Sequence, residues 1–186
     1  MRVPALLLIL TTALAGGCAG PPAPAVPEAQ NAKQSPEETV NLNAAGEFSD
    51  DDTAAIAFDR KLAPRGSQAS VTVESSGGQT RTSLVVEGLL PDRRYGAHLH
   101  VNPCGPKPDA SGPHYQHHPG QIDAKSEVWL DFTTDAEGAG RSSARQDWTL
   151  ERSKLPGSLV IHAKPTTTSG PQAGQAGDRV ACLTLK

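Results

Sequence analysis

Residues 96–119 read GAHLHVNPCGPKPDASGPHYQHHP and hold five of the chain's six histidines. The stretch opens on His98-Leu99-His100. On a strand alternate side chains share a face, so two imidazoles project together while Leu99 packs the other way. A loop rich in Pro and Gly follows and brings in His114. The sixth histidine, His162, lies far along the chain in 159–165, LVIHAKP, a second apolar run of strand character. A single histidine in a strand is more often a hydrogen-bonded core residue than a ligand. An HxH pair with a third histidine behind a constrained loop is different. We read His98, His100, His114 and His162 as ligands of one copper ion, although imidazole suits zinc as well and the spacing alone does not separate the two.

The flanking sequence carries many short strands. Residues 53–58, TAAIAF, are short and apolar. In 67–75, SQASVTVES, Ala69, Val71 and Val73 alternate onto one face, and Gly77-Gly78 is a hairpin signal before Leu84 and Val86 return inward. The run 127–134, EVWLDFTT, sets Val128, Leu130 and Phe132 against Trp129 and Asp131. SARQDWTL, GSLVIHA and RVACLTL complete the series. About eight strands with turn signals between them, no long helix and no repeat argue for an all-β antiparallel sandwich or barrel, immunoglobulin-like in architecture. The segment 101–125 is too long for a hairpin connection, and long loops in compact domains are usually functional.

The N-terminal part reads differently. Residues 1–17 resemble an exported leader, with Arg2 ahead of an apolar run too short to span a bilayer stably. LAGGCAG around Cys18 resembles a bacterial lipoprotein signal, although Ala15 stands where leucine is usual. Cleavage after Ala13-Leu14-Ala15 is the rival, giving a soluble secreted or periplasmic protein. Lipidation is favoured because it explains a cysteine that would otherwise be left as a free thiol. Residues 18–52 are then a Pro/Ala-rich and polar tether that stays extended, and 53–186 form the domain. The formal net charge of -3 gives no basic footprint, which argues against nucleic acid. The chain is acidic overall, and the cations that accompany its C-terminal motifs are Lys164 and Arg179, which are the local sources of positive potential there.

The order GAHLHVNP, SGPHYQ, LVIHAKP and GQAGDRVACLTL resembles the copper/zinc superoxide dismutase family over roughly residues 53–186. The motifs are Gly96-Ala97-His98-Leu99-His100 and the set Gly174, Gly177, Arg179, Ala181 and Cys182. The resemblance implies a Greek-key β-barrel that converts superoxide to oxygen and hydrogen peroxide. It implies that His98, His100, His114 and His162 hold copper, with His114 the histidine that bridges to zinc in two-metal members and carries a proton. It implies that Arg179 receives the anion and that Cys104 and Cys182 form a disulfide.

The departures lie on the zinc side. The family places two more histidines and an aspartate after the bridging histidine. Here His117, His118, Asp123 and Asp131 do not reproduce that spacing, so we expect no ordinary zinc site, with His117 a candidate for the metal pocket. Residues 163–173 also lack the acid that links the two metals. A copper-only dismutase is the leading expectation. A dismutase-like lipoprotein that binds copper without catalysis is the alternative, and a metal-free structural sandwich comes third.

Overall fold

The computed structural model describes residues 39–186. The leader, Cys18 and the first part of the tether lie outside that range. Within it run nine strands: β1 (Val40–Glu47), β2 (Ala55–Ala57), β3 (Gln68–Ser76), β4 (Gln79–Glu87), β5 (Arg94–His100), β6 (Phe132–Thr133), β7 (Gly140–Gln146), β8 (Ser158–His162) and β9 (Arg179–Thr184). The one helical element among the described residues is a single 3-10 turn, Pro108–Ser111. A four-stranded sheet has the order β1-β3-β4-β7 and a five-stranded sheet the order β2-β9-β8-β5-β6. Every ladder between these strands is antiparallel. The two inner faces meet in one core.

The expected tether does not run to Asp52. Residues 40–47 form β1, paired with β3 along its whole length. The alternation is there in the chain, with Val40, Leu42, Ala44 and Gly46 turned inward and Asn41, Asn43, Ala45 and Glu47 exposed. Only Val40 and Leu42 of the inward residues are larger than alanine, and three of the four exposed ones are polar, so the segment has the composition of a linker with the period of a strand.

β3 and β4 bury every second residue. Ala69, Val71, Val73, Leu84 and Val86 face the core as their spacing predicts. Gly77 and Gly78 both take positive φ, 59° and 78°. A two-residue connection of that kind matches the twist of the flanking strands and requires φ > 0 at both positions. The run 127–134 keeps its predicted alternation, with Val128, Leu130 and Phe132 in the core, but only Phe132–Thr133 pairs as a strand. Trp129 makes an isolated bridge to His98.

The five-stranded sheet is buried on both faces. Its inner rows follow from the register. Ala97, Ile161, Ala181 and Ala57 form one, and Leu99, Leu159, Leu183 and Ala55 the next. The outer face carries His98, Val160, Cys182 and Ile56 side by side, then Gly96, His162 and Arg179. Strict alternation from Ala181 would turn Arg179 into the core. The register shifts between Ile161 and His162, so that His162 pairs with Arg179. Val180 is the extra residue, and it joins Ala181 in the core. Such a bulge re-aims the side chains beyond it, and here it delivers Arg179 to the histidine face.

Gly96 lies on that face for a steric reason. A Cβ there would come within 2.8 Å of both the Lys164 carbonyl oxygen and the Ala176 side chain. The bare backbone lets the segment 164–176 lie close, with the Gly96 amide donating to Lys164 O at 2.8 Å. On the other flank, Cys104 is disulfide-bonded to Cys182 across 78 positions of sequence. A closed loop of that size stabilises by roughly 4 kcal/mol in the chain-entropy model, and it pins residues 104–112 over the outer face.

Candidate metal centre

β5 sets His98 and His100 on the outer face, both fully buried. Past the strand the chain loops out and returns alongside it. Val101 N–H donates to Pro113 O at 3.1 Å and Tyr115 N–H to Leu99 O at 2.8 Å. This backbone pairing puts His114 opposite His100. β8, adjacent to β5, ends on His162, opposite Gly96. One ring nitrogen from each of His98, His100, His114 and His162 lies within 4.8 Å of the others, and among the described residues this is the one such cluster of His, Cys, Asp or Glu.

The second nitrogen of each ring is held by an oxygen. His100 Nδ1 donates to Gly112 O at 2.9 Å and His162 Nδ1 to Gly177 O at 3.2 Å. His114 Nδ1 donates to Glu127 Oε2 at 2.8 Å. His98 Nε2 meets Thr166 Oγ1 at 2.7 Å, and that hydroxyl donates in turn to Asp131 Oδ1. Ring nitrogens that donate outward leave lone pairs facing inward. His98 Nδ1 and His114 Nε2 stand 3.0 Å apart, and His100 Nε2 and His162 Nε2 3.3 Å apart. Four acceptors converging without a donor between them suit a cation, and an all-imidazole set suits copper or zinc.

The electrostatics agree. Burial drives His98 well below the ordinary imidazole range, and positive charge on His114, His162 and His100 would push it the same way. Burial takes His100 to about 2, against an upward pull from the Gly112 carbonyl. It takes His162 to about 4, against the Gly177 carbonyl. These rings are neutral near pH 7 and their lone pairs are available.

Glu127 was not among the residues singled out from sequence. Its side chain is 1% exposed. Besides His114 it accepts from Trp129 Nε1 and Gln116 Nε2, both at 2.8 Å. Burial raises its pKa, the three hydrogen bonds lower it, and the net is below the usual carboxylate range. The signal available was an acid beginning an otherwise alternating apolar run.

Arg179 Nη1 donates to Pro108 O and Ser111 Oγ, both at 2.8 Å, and Nη2 to Gly112 O at 2.7 Å. The disulfide-pinned loop therefore holds both Arg179 and the acceptor of His100. His114, His162 and Arg179 line an open cleft of about 550 Å³ with Gln116, Glu127 and Gly174. Arg179 is the one formally cationic side chain in its wall. Lys164 is not in it; the stem of that lysine lies over Gly177.

The other candidates lie elsewhere. His117 does not face the metal pocket: its ring stacks on Trp148, centroids 4.5 Å apart and planes 2° from parallel. His118 is exposed. Asp123 Oδ1 accepts from the Lys125 and Ser126 amides and so closes a turn.

This geometry can be set beside known proteins. The family model for copper/zinc superoxide dismutase (SODC) matches residues 67–184, more than half of the chain. Among solved structures, the Cu/Zn superoxide dismutase from Brucella abortus superposes with a TM-score of 0.54 at 19% identity, covering 80% of this chain and 100% of that one. At that identity the likeness is one of fold. No curated protein matches the chain. The family model spans strands, histidines and disulfide in one continuous match, and the chain belongs to the copper/zinc superoxide dismutase family.

Proposed function

We propose that this domain is an extracytoplasmic, copper-dependent superoxide dismutase without an ordinary zinc site. The observation that carries the reading is the convergence of four imidazoles beside one fixed cation. His98 Nδ1, His100 Nε2, His114 Nε2 and His162 Nε2 would hold the metal. Bound copper supplies a one-electron couple, which zinc lacks. The net reaction takes two superoxide ions and two protons to oxygen and hydrogen peroxide.

The residues divide the work. His98 and His100 are sealed in, while His114 and His162 face the cleft, so a small anion approaches from their side. Arg179 attracts it there and holds its charge in a fixed place. His114 is suited to handle a proton at Nε2. When that atom is protonated, the Glu127 carboxylate already on Nδ1 balances the charge. Glu127 occupies the very nitrogen that a bridging histidine offers to zinc, which supports a one-metal site.

The wall of the cleft favours a second reading. It carries a single cation, so guidance of the anion is weak, and the same histidines would serve a copper store. Metal content and superoxide decay measured on one sample separate the two. We expect copper near one per chain and decay well above that of free copper, reduced in Arg179→Ala. Decay at the free-copper level leaves the binding protein as the reading. Anchorage through Cys18 is tested by globomycin, which should accumulate the uncleaved precursor in cells.

A further inference from the structure

The structure assigns Thr166 and Asp131 a positioning role: together they fix which nitrogen of His98 keeps a lone pair for the four-histidine cluster. The inference rests on the reading of the four histidines as a copper site and deepens it. It begins from a difference between the rings. His100 and His162 donate to backbone carbonyls and His114 to a carboxylate, all of which can only accept. His98 alone faces a hydroxyl. A threonine hydroxyl can donate as well as accept. If it donated to Nε2, the ring proton would move to Nδ1 and remove the lone pair that points at the other three rings.

Asp131 removes the ambiguity. Its Oδ1 takes the Thr166 hydroxyl hydrogen, and its Oδ2 accepts the Thr166 amide at 2.6 Å. One carboxylate thus holds both the backbone and the side chain of Thr166. With its hydrogen committed, the hydroxyl presents only lone pairs to His98 Nε2, which must then carry the proton. Nδ1 is left as the ligand. Thr166 is 9% exposed and His98 0%, so water does not easily substitute. Gly96 makes the arrangement possible, because its bare backbone admits the segment that carries Thr166.

The acid that stands behind His98 comes from outside residues 163–173. Leu130 and Phe132 anchor Asp131 to the core from its two sides. Glu127, Trp129 and Asp131 alternate along one short extended stretch. Its first carboxylate orients His114 and its last, through Thr166, orients His98. The inner nitrogens of those two rings are the 3.0 Å pair.

The test uses Thr166→Val, Thr166→Ser and Asp131→Asn in the full domain. In copper-free protein, nitrogen-15 histidine spectra should show His98 as the Nε2–H tautomer in the wild type and in Thr166→Ser. A mixture of tautomers is expected in Thr166→Val. Asp131→Asn should give a mixture as well, since an amide can donate to the hydroxyl and turn its hydrogen toward the ring. With copper added, Thr166→Val and Asp131→Asn should bind about 10- to 100-fold more weakly, as losses behind a ligand typically do, with an altered Cu(II) EPR spectrum. Thr166→Ser should restore both. A wild-type His98 tautomer that persists in Thr166→Val and in Asp131→Asn overturns the assignment. Wild-type protein that shows the tautomer pattern but binds no copper sinks the copper site and leaves the hydrogen-bonded pair standing.

Discussion

The two sheets obey the same alternation and use it differently. In the four-stranded sheet β3 and β4 run buried-exposed along their length, with one face in the core and one in water. In the five-stranded sheet β5 and β8 are buried at nearly every position. The inner residues Ala97, Leu99, Leu159 and Ile161 meet the core. The outer ones, His98, His100 and His162, are buried by loops, which arrive because a disulfide, a returning strand-like segment and a bare glycine hold them there. A sheet with one solvated face needs only its partner sheet. A sheet with a covered outer face can build a polar site on it, and then depends on every connection that keeps the cover in place.

The most direct way to break this division is to remove a cluster histidine from one sheet and a core residue from the other. His100→Ala should take superoxide decay to the level of free copper. Leu84→Ala, at a site 1% exposed, should cost about 2–5 kcal/mol while leaving the Cu(II) spectrum of the folded protein unchanged. Equal spectral effects from the two would mean that the sheets are not separable in function. The next comparison concerns the cover. Cys104→Ser should cost roughly 4 kcal/mol by chemical denaturation. Unlike Leu84→Ala, it should also weaken copper binding, because the freed loop carries Gly112 O and the contacts of Arg179.

The same contrast explains what could be read from the chain. The one-sided sheet was legible in its period: Val71, Val73, Leu84 and Val86 face where alternation put them. β1 was missed because small and polar residues disguised the same period. The histidine cluster was legible because HxH on a strand needs no tertiary information, and His114 behind a constrained loop and His162 on a second apolar strand completed the set, in agreement with the family resemblance. The outward turn of Arg179 was not, since it depends on a bulge at Val180 that no local pattern marks. Nor were the oxygens behind the rings. Gly112, Gly177, Glu127 and Thr166 come from four separate places, and a hydrogen-bond partner is chosen by proximity in the fold. His117 shows the converse error: nearness in sequence to His114 did not bring it to the pocket, because Trp148 offers its ring a flat surface.

Acid should separate the sheets as well. His162 is held at about 4 in the fold against 6.5 as its ordinary value. The copper-free fold therefore binds fewer protons than the unfolded chain between those values. Its stability is intact above about pH 6.5 and falls as the pH drops toward 4. His162 contributes about 3 kcal/mol across that window, and His98 and His100 add in the same direction. Denaturation of copper-free protein at several pH values measures the slope. The slope should lessen in His162→Gln and persist in Leu84→Ala; an unchanged slope in His162→Gln would place the acid sensitivity elsewhere.

The smallest effect concerns Glu127, where the two kinds of burial meet. Its backbone neighbour Val128 packs in the shared core while its carboxylate serves the outer face. Glu127→Gln preserves the shape but not the chemistry. The carboxylate accepts from three donors, whereas an amide has one oxygen and an NH2 group. With the oxygen toward His114 and Trp129, the NH2 faces the Gln116 amide nitrogen. Gln116 cannot simply turn over, because its own oxygen accepts the Gly120 amide at 2.8 Å. The variant should fold, since each of the two facing amide donors left unpaired costs about 1–3 kcal/mol. Copper should bind about 10- to 100-fold more weakly, as measured by competition with a chelator. The activity of the loaded protein should fall further than its copper content, because an imidazolium at His114 loses the charge that balances it. If activity per bound copper stays at the wild-type level, Glu127 orients a ligand and has no part in handling the proton.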